Sequence, residues 1–261
     1  MSRRVLIISH YHREGVIRSD TMNLIKILKK KFKKIIIVST KLKKKISLGS
    51  NVKIITKKNV GKDFHSFRSG FINLYKKKNF KNLSNIYFMN TSFVCLNFSK
   101  FMSNVVSKME SNNCDFVGVT KSFEINEHIQ TYFFKISKNI FLKDFFIKWV
   151  NKIKPLKKRM DIVNKYEIGL SRFLISHGYS CNSIFPNKKR KKIIFQILNI
   201  NFFKNRFEKG NPTAYLWKKI YKKFGIIKLD LIKNNPHNLN LSSLKKIFYK
   251  KEYIFQEILK N

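Results

Sequence analysis

The sequence predicts an α/β fold, a mostly parallel sheet flanked by helices. Three observations predict it. The runs "RVLIIS" (4–9), "KIIIVST" (34–40) and "VKIIT" (52–56) are short, apolar and β-branched, as strands buried on both faces are. A helical pattern at 19–32 separates the first two, and strand–helix–strand at this spacing is a parallel βαβ unit with a right-handed crossover. Hydrophobic residues make up 43% of the 261, enough for a sizeable core and too many for a disordered chain.

The elements follow in order. In "SDTMNLIKILKKKF" Met22, Ile25, Leu28 and Phe32 share one helical face, and Ser19 or Asp20 suits the N-cap. "DFHSFRSGFINLYKKK" reads as a helix starting near Asp63, "NIYFMN" (85–90) as a strand, 96–109 as a helix and "DFVGVT" (115–120) as a strand. The regularity then ends. "IQTYFFKIS" (129–137) is a strand with no clear crossover helix before it, 139–150 is helical, and 152–165 reads as a mobile loop. "YEIGLSRFLISHGY" (166–179) is an amphipathic helix stopped by Gly178, and "CNSIFP" (181–186) is a last strand. From 187 the chain is Lys-rich and less regular, with a helix around 214–225. One domain, 1–261, thus divides into a regular part (1–120), an irregular part (121–186) and a C-terminal extension (187–261).

The net charge is +42, yet only 9 of the 56 basic residues are arginine. Readers of base edges rely on the planar fork of Arg. A bias to Lys, Ile, Asn and Phe with almost no Ala is what an AT-rich coding sequence yields. No helix-turn-helix, zinc or RNP-like signature is visible, and the charge is spread along the chain, so no specific nucleic-acid partner is expected. A basic surface still attracts anionic lipid, less as salt rises. Cys95, Cys114 and Cys181 are odd in number and far apart, with no metal-ligand spacing, which fits a reducing cytoplasm. No stretch approaches the ~18 apolar residues of a membrane span. The expected location is cytoplasmic, soluble or peripheral at the inner face of the membrane.

Open α/β sheets bind ligands at the carboxyl ends of their strands. Asn59–Asp63 and Asn90–Ser92 both fall just past strand ends, so two polar clusters should meet on one rim. In "NVGKDFHSFRSG" Gly61 permits a tight turn, the helix start offers N–H groups to a phosphate, Asp63 can cap, and Gly70 allows close packing. On spacing alone an ordinary strand–turn–helix junction, with Asp63 as its cap, is the favoured reading. Tyr132 reads as core. Trp217 reads as core, since a single aromatic on a helix usually is, with stacking on a sugar ring as the second reading.

"NVGKDFHSFRSGF" (59–71) resembles the N-x-G-x-D…S-[YF]-R-x-G signature of the rhamnan synthesis protein F family of bacterial glycosyltransferases. "IYFMNTSFVCLNFSKFMSNV" (86–105), "DFVGVTKSFEINEHIQTYFFKIS" (115–137), "YEIGLSRFLISHGYSCNSIFP" (166–186) and "NPTAYLWKKI…GIIKLDLIKNNP" (211–236) resemble its further blocks, in family order. The resemblance implies a GT-A-like, Rossmann-type fold with a nucleotide-sugar-binding half (1–120) and an acceptor-side half (121–186). It implies donor contacts at Asn59, Gly61, Lys62, Asp63, Arg68, Asn90, Thr91 and Ser92, with Arg68 on a phosphate. It implies Glu167 as general base, opening a helix after a mobile loop, and His128 and Gln130 at the acceptor.

One position departs from the family, Thr91 in place of an Asp. GT-A enzymes often use that Asp to hold Mg²⁺ or Mn²⁺, and Thr91 cannot supply the charge a hard cation wants. No metal residue is assigned, and metal dependence is left in doubt. The implied activity is transfer of a sugar, rhamnose by the family name, from a nucleotide sugar to a glycan acceptor, lipid-linked, in surface-polysaccharide synthesis. Thr91 keeps a second reading open, a non-catalytic glycan-binding or scaffold relative. A basic nucleic-acid-binding protein is the third.

Overall fold

The computed structural model describes residues 3–43, 46–77, 80–185 and 210–260. The expectations for 186–209 lie outside them. The strands are β1 (Arg4–His10), β2 (Lys34–Ser39), β3 (Val52–Thr56), β4 (Asn85–Asn90), β5 (Phe93–Cys95), β6 (Phe116–Gly118), β7 (Lys121–Ser122), β8 (His128–Ile129), β9 (Phe133–Ser137), β10 (Cys181–Ser183) and β11 (Ile226–Lys228). Seven form one sheet in the order β10-β6-β9-β4-β1-β2-β3. All run parallel except β9, which is antiparallel to both β4 and β6. The α/β class and mostly parallel sheet expected from the sequence are therefore present.

Alternation explains why β1 is apolar at every buried position. Val5 and Ile7 face the layer holding α2 (Lys62–Tyr75), while Leu6 and Ile8 face the layer holding α1 (Ser19–Leu28). Gly70 lets α2 lie close to the sheet, because a Cβ there would stand 2.5 Å from Ile7 Cγ2. The Phe64, Phe67 and Phe71 stripe of α2 packs beside it, with Phe67 edge-on to Phe88 and Phe134.

Several boundaries differ from expectation. α1 ends at Leu28, and a turn carries Phe32 back into the core. Neither Ser19 nor Asp20 caps α1, whose N-cap position is Arg18. The helix expected at 139–150 is two, Lys138–Phe141 and Asp144–Asn151. The largest difference lies at 152–165. Helix begins at Arg159 and continues to Ser176, through a π-helical turn at Val163–Ile168. Lysines hide the signal, yet Ile162, Tyr166, Leu170 and Leu174 recur every four residues and all are buried.

The C-terminal segment is joined to the rest by β11, which pairs antiparallel with β5, Lys228 opposite Phe93. A small third core, including Val94, Leu96, Trp217, Ile227, Phe248 and Ile258, sits under this pair. Trp217 is core, as is Tyr132.

Candidate functional site

The polar residues meet at the carboxyl ends of β1 and β4. The parallel register sets Ser9 beside Asn90, and the first turn of α2 brings Asp63 onto both. Ser9 Oγ donates to Asp63 Oδ1 at 3.0 Å, and Asn90 Nδ2 donates to Oδ2 at 2.8 Å. Asp63 therefore does not cap α2, whose N-cap is Gly61 with no side-chain bond. Burial pushes the Asp63 carboxyl above its ordinary range, opposed by the Ser9 hydrogen bond, the Lys228 charge and the Asn90 hydrogen bond.

Gly61 has φ +73°, and a Cβ there would lie 2.6 Å from His65 Cβ and 2.7 Å from Pro155 Cα. The loop before α2 thus rests against the segment leading to the 159–176 helix. Gly61→Ala should lower stability by at least about 1–2 kcal/mol from the left-handed backbone alone, read by chemical denaturation. A variant as stable as the parent would show that the loop has another conformation.

Asn90 shapes the turn that follows it. Its Oδ1 accepts from Ser92 N at 3.1 Å and Ser92 Oγ at 2.6 Å, while Thr91 N–H donates to Ser9 O at 3.2 Å. Arg18 supports the turn, donating to the Thr91 and Phe93 carbonyls at 3.2 and 2.8 Å. It pairs with Asp20 at 2.9 Å, and Asp20 Oδ2 also accepts the Cys95 N–H at 3.1 Å.

Lys228 closes the cluster. From the end of β11 its Nζ donates to Ser92 Oγ at 2.9 Å and lies 4.5 Å from the centre of the Tyr132 ring. Burial pushes its pKa down to about 8, against the opposing pull of Glu167 and Asp63. Sequence reading placed Lys228 in the family-like block 211–236 but gave it no role in a site. Ser9 and Arg18 were missed as well.

Glu167 does not open a helix. It lies within the π turn of the 159–176 helix, and turns of that kind are frequent at functional sites. Its Oε1 accepts the Thr131 N–H at 3.0 Å and stands 3.8 Å from His128 Nε2. His128 is buried, its Nδ1 2.7 Å from Asn126 O, so that nitrogen carries the proton. Gln130 is also buried and fully engaged. Its Oε1 accepts from Thr120 Oγ1 at 2.8 Å, and its Nε2 donates to Asn211 Oδ1 at 3.1 Å and Thr213 Oγ1 at 3.4 Å. It fastens the 211–213 turn to the sheet.

Asp63, Asn90, Thr91 and Ser92 are thus brought together, with Asn59 and Lys62 exposed at the mouth beside Gly61. Arg68 is not brought to them. Five residues on from Asp63, it is turned by about 140° around the helix, and its Nε donates to Asn151 O at 3.4 Å. It borders a small cavity lined by apolar side chains, including Phe64 and Trp149.

Comparison with known proteins gives the following. The virulence protein VirA of Vibrio anguillarum is 24% identical over 203 residues, covering 70% of this chain and 62% of that protein. The uncharacterized protein y4gN of Sinorhizobium fredii is 25% identical over 136 residues, covering 51% of this chain and 34% of that protein. The chain thus spans between a third and two thirds of the length of these curated relatives. Among solved structures, the glycosyltransferase GlyE of Streptococcus pneumoniae TIGR4 aligns with 99% of this chain and 62% of its own, at 10% identity and a TM-score of 0.47. The inositol-1-phosphate CTP transferase from T. maritima aligns with 76% of this chain and 95% of its own, at 10% identity and a TM-score of 0.40. The family profile described as rhamnan synthesis protein F matches residues 35–260, a span that takes in Asp63, Asn90, Glu167 and Lys228. The chain belongs to the rhamnan synthesis protein F family.

Proposed function

We propose that this chain is a glycosyltransferase of surface-polysaccharide synthesis. It takes a sugar, rhamnose by the family's name, from a nucleotide-sugar donor and passes it to a lipid-linked glycan at the cytoplasmic face of the membrane. The observation that carries this reading is the meeting of Asp63, Asn90 and Ser92 with Lys228 at the strand ends, with Glu167 close enough for its charge to act on Lys228. In the reaction an acceptor hydroxyl oxygen bonds to the anomeric carbon. The bond from that carbon to the donor's diphosphate oxygen breaks, and the nucleoside diphosphate leaves with the electron pair. Glu167 takes the hydroxyl proton. Asn59, Gly61, Lys62 and the first turn of α2 receive the donor, and His128 orients Glu167 from behind.

The resemblance implies Mg²⁺ or Mn²⁺, and the residues at this place do not fit such an ion. Thr91 stands where the family has Asp, both oxygens of Asp63 already accept hydrogen bonds, and an ammonium occupies the same cluster. Among the described residues no three His, Cys, Asp or Glu converge. Hard divalent cations take six or more oxygen ligands and want charge among them. Transfer in EDTA should therefore stay within about threefold of transfer with added Mg²⁺ or Mn²⁺. Strict dependence on either ion would overturn this reading of Thr91.

Among the described residues no helix is long and apolar enough to cross a membrane. The proposed membrane contact is electrostatic, drawing on the net charge of +42. The test of function is a panel of nucleotide sugars, scored by thermal stabilisation and by release of nucleoside diphosphate. At a hundred times its Kd a donor stabilises the folded chain by about 2.7 kcal/mol. Stabilisation without turnover on any glycan acceptor would favour the second reading, a non-catalytic relative, which Thr91 motivates. No stabilisation by any nucleotide sugar would overturn the donor-site assignment.

A further inference from the structure

Lys228 is a half-buried ammonium, without a direct counter-ion among the described residues. Its Nζ contacts are a hydroxyl and the face of an aromatic ring, and among the described residues no carboxylate comes within ion-pair distance of it. Burying a cation in this way is costly unless an anion compensates it. The surroundings narrow what the anion is. Asp63 and Glu167 are near enough to act through their fields, as are Asp230 and the opposing charge of Arg159. Asp63 is held by Ser9 and Asn90, Glu167 by the Thr131 N–H, and Asp230 by Arg159 at 3.1 Å and by Asn234. Each neighbouring carboxylate therefore has partners of its own. Lys228 stands at the strand-end rim, beside the turn where the departure at Thr91 removes a charged metal ligand.

We propose that Lys228 binds the diphosphate of the donor and takes the negative charge of the leaving nucleoside diphosphate, the task a divalent cation performs elsewhere. The inference rests on the donor-site reading above. The ammonium comes from a strand far along the chain, and Ser92 and Tyr132 hold it in place before the ligand arrives. As the bond from the anomeric carbon to the diphosphate oxygen breaks, charge grows on that oxygen and the attraction of Lys228 strengthens. Arg68, turned toward Asn151, does not share this role.

The sign of the pH dependence follows. A protonated Lys228 attracts the diphosphate, and a neutral one does not. With an unliganded pKa of about 8, affinity is full below that value and falls as pH rises through it, toward a tenfold loss per unit. Ordinary lysines, with pKa values near 10.4, would leave affinity flat to about pH 9.5.

The experiment is calorimetric titration, in EDTA, of the whole chain with inorganic diphosphate and with ADP, CDP, GDP, UDP and dTDP, at pH 7 to 9.5. The expected result is binding of at least one nucleoside diphosphate that weakens about 10- to 100-fold in Lys228→Met. Lys228→Arg should retain most of it, and the fall in affinity should centre near pH 8 in the parent and vanish in Lys228→Met. Thermal unfolding reports whether Lys228→Met is folded. If it is not, the Arg variant and the parent's pH profile decide. Undiminished binding by folded Lys228→Met, or a parent profile flat to pH 9.5, overturns the role of Lys228 and leaves the donor site standing. Failure of the parent to bind any of these diphosphates overturns both.

Discussion

Glu167→Gln is expected to lower turnover about 10²–10⁴-fold, the range lost with a general base, while donor affinity holds. Gln keeps the size of the side chain, and its Oε1 can still accept the Thr131 N–H that Glu167 accepts at 3.0 Å. What it loses is the ability to take a proton. The neighbouring His128 has its Nδ1 proton committed to Asn126 O, and its Nε2 stands 3.8 Å from Glu167. His128→Ala should cost less than Glu167→Gln, because it removes an orienting group and leaves the carboxylate. Two other acidic residues serve as controls. Glu124 is exposed and accepts from Asn211, and Glu127 is exposed and pairs with Lys121. If Glu167→Gln keeps turnover within a few-fold while Glu124→Gln or Glu127→Gln abolishes it, the base lies in the 124–127 loop. If all three keep their rate, base-assisted inversion is the wrong mechanism for this chain.

The largest effect on stability is expected at Asp20. Asp20 is 1% exposed and Arg18 3%. Their pairing at 2.9 Å is backed by the Cys95 N–H on one side and the carbonyls of Thr91 and Phe93 on the other. Asp20→Ala strands a buried guanidinium and should destabilise the fold by about 3–5 kcal/mol. At roughly 2–4 °C per kcal/mol for a chain near this size, the melting temperature should drop by on the order of 10 °C. Arg18→Met together with Asp20→Ala should recover part of the loss, since removing both charges removes the stranded one. A double variant that is worse than Asp20→Ala, by the sum of two independent losses, would show that the pair is not a coupled unit. Donor affinity is a second readout, because Arg18 holds the turn that carries Ser92.

Much of the fold was legible because its sheet is regular. β1 to β4 are short apolar runs whose periodicity is visible in any window, and the two polar clusters past strand ends meet as the topology of parallel sheets requires. Asp63, Asn90 and Ser92 were found this way. Their bonding was not, because a carboxylate in a first helical turn reads as a cap, and only the adjacency of Ser9 and Asn90 draws it inward. Asp20 was misread for the same reason. Glu167 was selected by resemblance as a residue to test, and its setting was misjudged. The charged "KKRMDIVNK" concealed a helix whose apolar face is only one residue in four. Arg68 had the right chemistry on the wrong side of its helix, which spacing in a motif does not reveal. Lys228 sits in the family-like block 211–236, yet resemblance gave it no role, and its strand has only three residues.

The pairing of β11 with β5 has a consequence for how the molecule comes into being. The main sheet is complete once β10, ending at Ser183, has been made. Ser92 waits for Lys228 across 136 residues of sequence. During synthesis a chain can therefore own its whole sheet and still lack the cation at its rim. Contacts so distant in sequence form late and slow the final stage of folding. Nascent chains emerge N-terminal part first, so the unfinished protein passes through a stage in which its sheet is packed and the Ser92–Lys228 bond is not yet made. On the role proposed for Lys228, this late contact would also complete the donor site.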